Sequence, residues 1–200
     1  MATQGSVRCA RCSVVALDLF SKIVRELMHE STTPEKLYKK VTKTKNLFDK
    51  LDLNQKQTIN SLQTDGFDKL DFSIIYKIVK YFKMFIPAPT RNWRAIPQEG
   101  ETTVGDDVER MRRARNNLFH RPNVEVSEEE FNGFFNLFTE VGRRIDGYLN
   151  KPSSSGYEVS VKEYKTCALD KDTYEKYLNE RKEMESLKSK KNCMIVYEFF

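Results

Sequence analysis

The stretch Val104-Gly-Asp-Asp-Val-Glu-Arg-Met-Arg-Arg-Ala-Arg-Asn-Asn-Leu-Phe-His120 decides how this chain is read. At roughly 100° per residue, Val104, Val108, Met111, Leu118 and Phe119 fall within one apolar arc of a helix. Arg115 falls near the middle of that arc, where a sequence seeking only stability would place leucine. A guanidinium aimed at an apolar face must be paired with an acid, covered by a partner surface, or set in a cleft. Asn116 and His120 lie four residues apart and share a second face, with Arg112 one turn earlier. Arg110, Arg113 and Arg121 complete a local basic cluster. In an ideal helix Arg115 and His120 point about 140° apart. Pro122 disfavours helical geometry at Arg121, so His120 ends the last regular turn and its ring is free to swing toward Arg115. Two copies of the helix packed side by side would also bring these groups together. Spacing leaves both arrangements open. It leaves open, too, an ion pair of Arg115 with Asp107 or Glu140, and a His120 that serves only the helix dipole.

Outward from this stretch, the pattern remains helical. Toward the N-terminus, Ala16, Leu19, Phe20, Ile23, Val24 and Leu27 predict a helix over 13–29. Thr33-Pro34 is a cap followed by a first-turn proline, opening one or two short helices over 34–53. The clearest amphipathic helix is expected over 71–85, with Asp71 as its cap. Ile74, Ile75, Ile78, Val79, Phe82 and Phe85 are its buried stripe, Lys77, Lys80 and Lys83 its wet side, and Pro87 and Pro89 its end. Residues 86–103 then form a long loop in which Trp93 is expected to fold back onto the bundle. Beyond His120, Ser127-Glu-Glu-Glu130 has the form of a capping box opening a helix over 128–149. Phe131, Phe134, Phe135, Phe138, Val141 and Ile145 give that helix an aromatic-rich buried side.

The expected fold is therefore all-α: an antiparallel bundle of four to five helices, with a long Pro/Trp loop and a charged C-terminal tail. The domain is placed at 13–150, a linker at 151–156 on Pro152-Ser-Ser-Ser-Gly156, and a partly helical tail at 157–200 with its helical stretch at 172–190. The apolar end, Met194 to Phe200, either docks on the bundle or runs on into a longer native protein.

Bulk properties narrow the function classes. The 200 residues are 32% charged and 39% apolar, and the eight Gly and six Pro are too few for a turn-rich sheet protein. A net charge of +5 permits contact with phosphate without demanding it. Cys9-x-x-Cys12 has the spacing of half a zinc site, but no matching second pair follows and the only histidines are His29 and His120. No metal and no other cofactor is expected, and the pair reads as reduced thiols at a frayed N-terminus. The run Val14 to Phe20 is broken by Asp18 and is too short to span a bilayer, so no membrane association is expected. Neither a secretory signal nor a disulfide framework is evident, and a cytoplasmic location follows as the expectation. A glycine-rich phosphate loop, a His-x-x-x-His pair and a Gly-x-Ser-x-Gly elbow are all missing.

Arg115-Asn116-Asn117-Leu118-Phe119-His120 resembles the signature of the HEPN superfamily: arginine, a polar residue, three variable positions and histidine. Its setting is similar to one branch, that of the HEPN domain found in the DAZ-interacting zinc-finger ubiquitin ligase and in many invertebrate proteins. The matches are Asp71-Phe72 opening an Ile-rich helix, Ile86-Pro87-x-Pro89, Trp93 followed by Pro97, and Gly105-x-Asp107-x-x-Arg110 leading into Arg115-Asn116. Ala114 departs from the larger residue expected before the Arg-Asn pair.

The resemblance covers roughly 15–150 and implies a bundle that dimerises through the 104–120 helix. In catalytic members, paired motifs form a metal-independent endoribonuclease acting on single-stranded RNA, in innate defence or RNA surveillance. Carried over, Arg115 holds the phosphate, Asn116 orients the site and His120 transfers the proton, since an imidazole titrates near neutral pH. Arg110, Arg112, Arg113 and Arg121 draw in the RNA backbone. The same resemblance implies an alternative: a noncatalytic dimerisation module with protein partners, in a ubiquitin-ligase-like or immune signalling protein.

Overall fold

The computed structural model describes residues 3–166. Cys167, Cys193, the helical expectation at 172–190 and the apolar end lie outside the described residues. Within them every regular element is helical. The N-terminal rod has three parts: α1 (Gln4–Val14), a π-helical turn (Val15–Leu19) and α2 (Phe20–His29). It starts well before residue 13. Thr3 accepts a hydrogen bond from the Ser6 N–H at 3.1 Å, and its hydroxyl donates to Glu125. The segment that carries Cys9 and Cys12 is therefore not frayed, and both are buried free thiols. The rod is the axis of the core. Phe20 lies 4.6 Å from the Phe138 ring and 6.4 Å from Phe72, joining three parts of the chain.

A layer of shorter helices follows: α3 (Pro34–Lys43), α4 (Lys45–Phe48), α5 (Leu53–Asn60) and α6 (Leu62–Asp65). The next helix, α7 (Phe72–Phe82), begins as expected, with Asp71 accepting from the Ile74 N–H at 2.7 Å. Its end differs from the expectation. Lys83 turns left-handed at φ 51°, and the helix stops there, before the prolines exert any effect. Phe85 also has positive φ, so it packs from the loop and not from the helix stripe.

After the loop, α8 (Val104–His120) occupies the predicted span and α9 (Glu128–Tyr148) nearly so. Both open with reciprocal capping boxes, Thr103 with Asp106 and Ser127 with Glu130, each satisfying N–H groups that a helix start leaves unpaired. α1 packs against α8 and α9, and α2 against α7. The 157–166 segment forms α10 (Tyr157–Thr166), and this helix is built into the bundle rather than hung from it. Asp146 of α9 accepts the Tyr157 and Glu158 N–H groups at 2.7 and 2.9 Å, which caps α10. Gly142 allows the close approach, since a Cβ there would stand 2.8 Å from the Glu158 nitrogen. Among the described residues no helix is long and apolar enough to cross a membrane.

Candidate functional site

The first turns of α8 look like ordinary helix-dipole complements, three acids near an N-terminus. In the fold they are buried: Asp106, Asp107 and Glu109 are at most 1% exposed. Buried carboxylates must be paired and hydrogen-bonded, and each of these grips a different part of the molecule. Asp106 accepts from the Thr90 N–H and hydroxyl at 2.9 and 2.6 Å and from the Thr103 N–H at 3.0 Å. Burial works to raise its pKa, but the hydrogen bonds from Thr90 and Thr103 outweigh it and hold the carboxyl below the usual range. Asp107 takes Arg144 of α9 through two bonds of 2.6 and 2.8 Å, and Arg110 at 3.1 Å. Glu109 accepts from the Tyr76 hydroxyl at 2.5 Å, the Arg94 N–H at 2.6 Å and Arg112 Nε at 2.8 Å.

These carboxylates pin the loop after α7 along α8. Gly105 permits it, because a Cβ there would overlap the backbone of Pro87, Ala88 and Pro89. Trp93 folds back as expected and meets the Tyr76 ring edge-on at 5.8 Å. Arg94 is held at φ 79°, a conformation unfavourable to any residue but glycine, by the bond from its N–H to Glu109. The strain fixes where the Arg94 side chain emerges.

It emerges at a cavity of about 530 Å³ between α7, α8 and the chain after α4. Six cationic side chains line this space: Lys50, Lys77, Lys80, Arg94, Arg112 and Arg115. Among the described residues no carboxylate does. Phe72 and Tyr76, stacked with an interplanar angle of 10°, form part of its apolar wall. Arg112 is neutralised by Glu109 and lies over the Tyr76 ring at 5.3 Å. The Lys80 ammonium is held below its ordinary pKa by burial and by the charges of Arg94 and Arg112.

The fold sets Arg115 at a cleft, one of the placements its odd position in the apolar arc left open. It is half-buried on the cavity wall, with its guanidinium 5.3 Å from the Phe119 ring centroid. No described carboxylate pairs with it. Asp107 is taken by Arg144 and Arg110, and Glu140 is taken by Arg143, which removes the two ion pairs the sequence left open for Arg115.

The other signature residues do not all converge on Arg115. His120 is exposed and lines a second cavity of about 620 Å³ between α8 and α9, beside Arg121, Glu130 and Phe134. Asn116 lines both cavities, so within one chain it is the link between Arg115 and His120. Of the candidate RNA-binding arginines, Arg110 binds Asp107 and the Gln98 carbonyl, and Arg121 pairs with Glu130 at 3.3 Å. Arg113 is half-buried on α8 and lines neither cavity. Sequence reasoning missed Lys50 and Arg94, and read Lys77 and Lys80 only as a wet face. The signal for that pair was a lysine step of three on a helix one loop away from the arginine-rich helix. No group of three or more His, Cys, Asp or Glu side chains among the described residues could hold a metal ion.

Compared with known protein families, residues 25–177 match the family model described as DZIP3/hRUL138-like HEPN, which spans more than half of the chain. No curated protein and no solved structure matches.

Proposed function

The chain belongs to the DZIP3/hRUL138-like HEPN family, and from that premise we propose that it binds single-stranded RNA and cleaves it without a metal as a dimer, in innate defence or RNA surveillance. One observation carries the reading: among the described residues Arg115 has no carboxylate partner, and the charged side chains lining the cavity it faces are all cationic. A planar guanidinium so placed offers two parallel N–H donors to a phosphate. In the proposed reaction the ribose 2′-oxygen attacks phosphorus as the bond to the 5′-oxygen breaks. One imidazole takes the 2′-hydroxyl proton, and one returns a proton to the departing oxygen. Arg115 stabilises the charge gathering on the phosphate. A second subunit packed across α8 supplies the neighbouring His120, which the separation of the two cavities within one chain calls for.

That same separation favours a second reading, a dimerisation module without turnover, as does the exposure of Leu137 and Tyr148 on α9. The test is incubation of purified protein with single-stranded RNA in EDTA. The first reading expects cleavage that His120→Ala abolishes without changing the circular dichroism, and RNA binding that Arg115→Ala weakens. Intact RNA, together with loss of self-association in Arg115→Ala, would establish the second reading instead.

A further inference from the structure

The cation-lined cavity holds more positive charge than one backbone phosphate needs. Six cationic groups surround one concave space, against the single buried carboxylate of Glu109 beneath Arg112. A protein that tracks a nucleic-acid backbone lays its cations along a groove. Here they converge on one volume of about 530 Å³ from α7, α8, the Arg94 loop and the chain after α4. Apolar walls of Phe72 and Tyr76 lower the local dielectric and strengthen the field at its centre. Such a space fits a compact group bearing several negative charges at once. The geometry points to an oligophosphate pocket: the cavity takes a di- or triphosphate group, either at the 5′ end of an RNA or as a free polyphosphate. The inference rests on the reading of Arg115 as a phosphate ligand, and deepens it.

Lys77 and Lys80 line the cavity from α7, across from the signature residues Arg115 and Asn116 on α8, and the Lys77 ammonium also donates to Gln55 at 2.7 Å. The Lys80 ammonium is held below its ordinary pKa by burial and by Arg94 and Arg112, and an anion in the cavity would offset that shift. Trp93 is the chain's single tryptophan and touches Tyr76 on the cavity wall, so its emission reports on occupancy.

The experiment titrates the full chain, by calorimetry and Trp93 emission, with inorganic tripolyphosphate and orthophosphate. It then compares a single-stranded oligoribonucleotide carrying a 5′-triphosphate with the same strand carrying a 5′-hydroxyl. Tripolyphosphate is expected to bind at least tenfold more tightly than orthophosphate. The double variant Lys77→Gln, Lys80→Gln loses that preference by tenfold or more, Lys50→Gln loses part of it, and His120→Ala keeps it. A gain from the 5′-triphosphate on RNA assigns the pocket to an RNA end. Equal affinity for the two RNAs, with tight tripolyphosphate binding, assigns it to a free polyphosphate. Tripolyphosphate no tighter than orthophosphate, or undiminished in the folded double variant, overturns the proposal. If 5′-hydroxyl RNA is bound and cut while tripolyphosphate is ignored, the pocket fails and the RNA reading stands. If tripolyphosphate binds and neither RNA does, the RNA reading fails and the pocket stands.

Discussion

Glu109→Gln removes one charge and almost no volume from beneath the cationic cavity. The glutamate has no exposed surface and accepts three bonds: Tyr76 and the Arg94 N–H on one oxygen, Arg112 on the other. A glutamine can satisfy only one side. With its carbonyl toward Tyr76 and Arg94, its NH₂ meets the Arg112 Nε–H, donor against donor. A charged hydrogen bond is worth about 1.5–3 kcal/mol, and a guanidinium stripped of its buried partner costs more. Arg112 recovers part of this because its side chain is 19% exposed and lies over the Tyr76 ring. With the amide reversed, the Arg94 N–H loses its acceptor while the backbone is still held at φ 79°. Either way the loss is about 2–3 kcal/mol, which in a domain of this size lowers Tm by roughly 4–12 °C. Differential scanning calorimetry reads the shift, and Trp93 emission reads the loosening of the Tyr76 wall. A folded variant with Tm within about one degree of the parent and unaltered Trp93 emission would refute the role assigned to Glu109.

Gly105→Ala sets a methyl group against the backbone of Pro87 to Pro89, and should cost about 1–3 kcal/mol with a change in Trp93 emission. Gly133→Ala, on α9 with nothing within 4 Å, is the matched control and should leave Tm unchanged or slightly higher by calorimetry. Asp106 has its folded pKa below the ordinary 3.8, so its contribution to stability is complete above that value and lost as pH falls through the folded one. Denaturant unfolding at stepped pH should show this acid loss, and Asp106→Asn should flatten it. The Cys12 thiol, pushed up to about 12 by burial and by Cys9, carries almost no thiolate at pH 8. Site-resolved mass spectrometry should find it unmodified by iodoacetamide in the native protein and rapidly alkylated once unfolded.

Where a local signal carried its own mechanism, the sequence was legible. Asp71 caps α7, Ser127 with Glu130 opens α9, and the apolar arc of α8 holds from Val104 to Phe119. Arg115 stood out because its type contradicted its position, and the fold resolves that contradiction with a cavity. What stayed hidden depends on groups distant in the chain. Nothing near Lys83 marks a helix end, because a left-handed lysine has no sequence signature. The start at Gln4 is anchored by Glu125, 122 residues from Thr3. Nothing in the sequence marks Asp106 and Glu109 as buried, since burial is decided by a loop laid over them. The divergence of His120 from Arg115 depends on side-chain direction, which residue spacing constrains without fixing.

The π turn at Val15–Leu19 has a consequence for how this chain tolerates change. Such a turn carries one surplus residue in an otherwise regular rod. Removing one residue there would close the turn to regular α-helix and leave the segments on either side facing as they do now. Removing one from α2 instead would swing everything on its N-terminal side by roughly 100° about the axis. Cys9 and Cys12 would then turn toward water, away from the layer formed with α8 and α9. The same loss is absorbed at one place in the rod and disruptive a turn away.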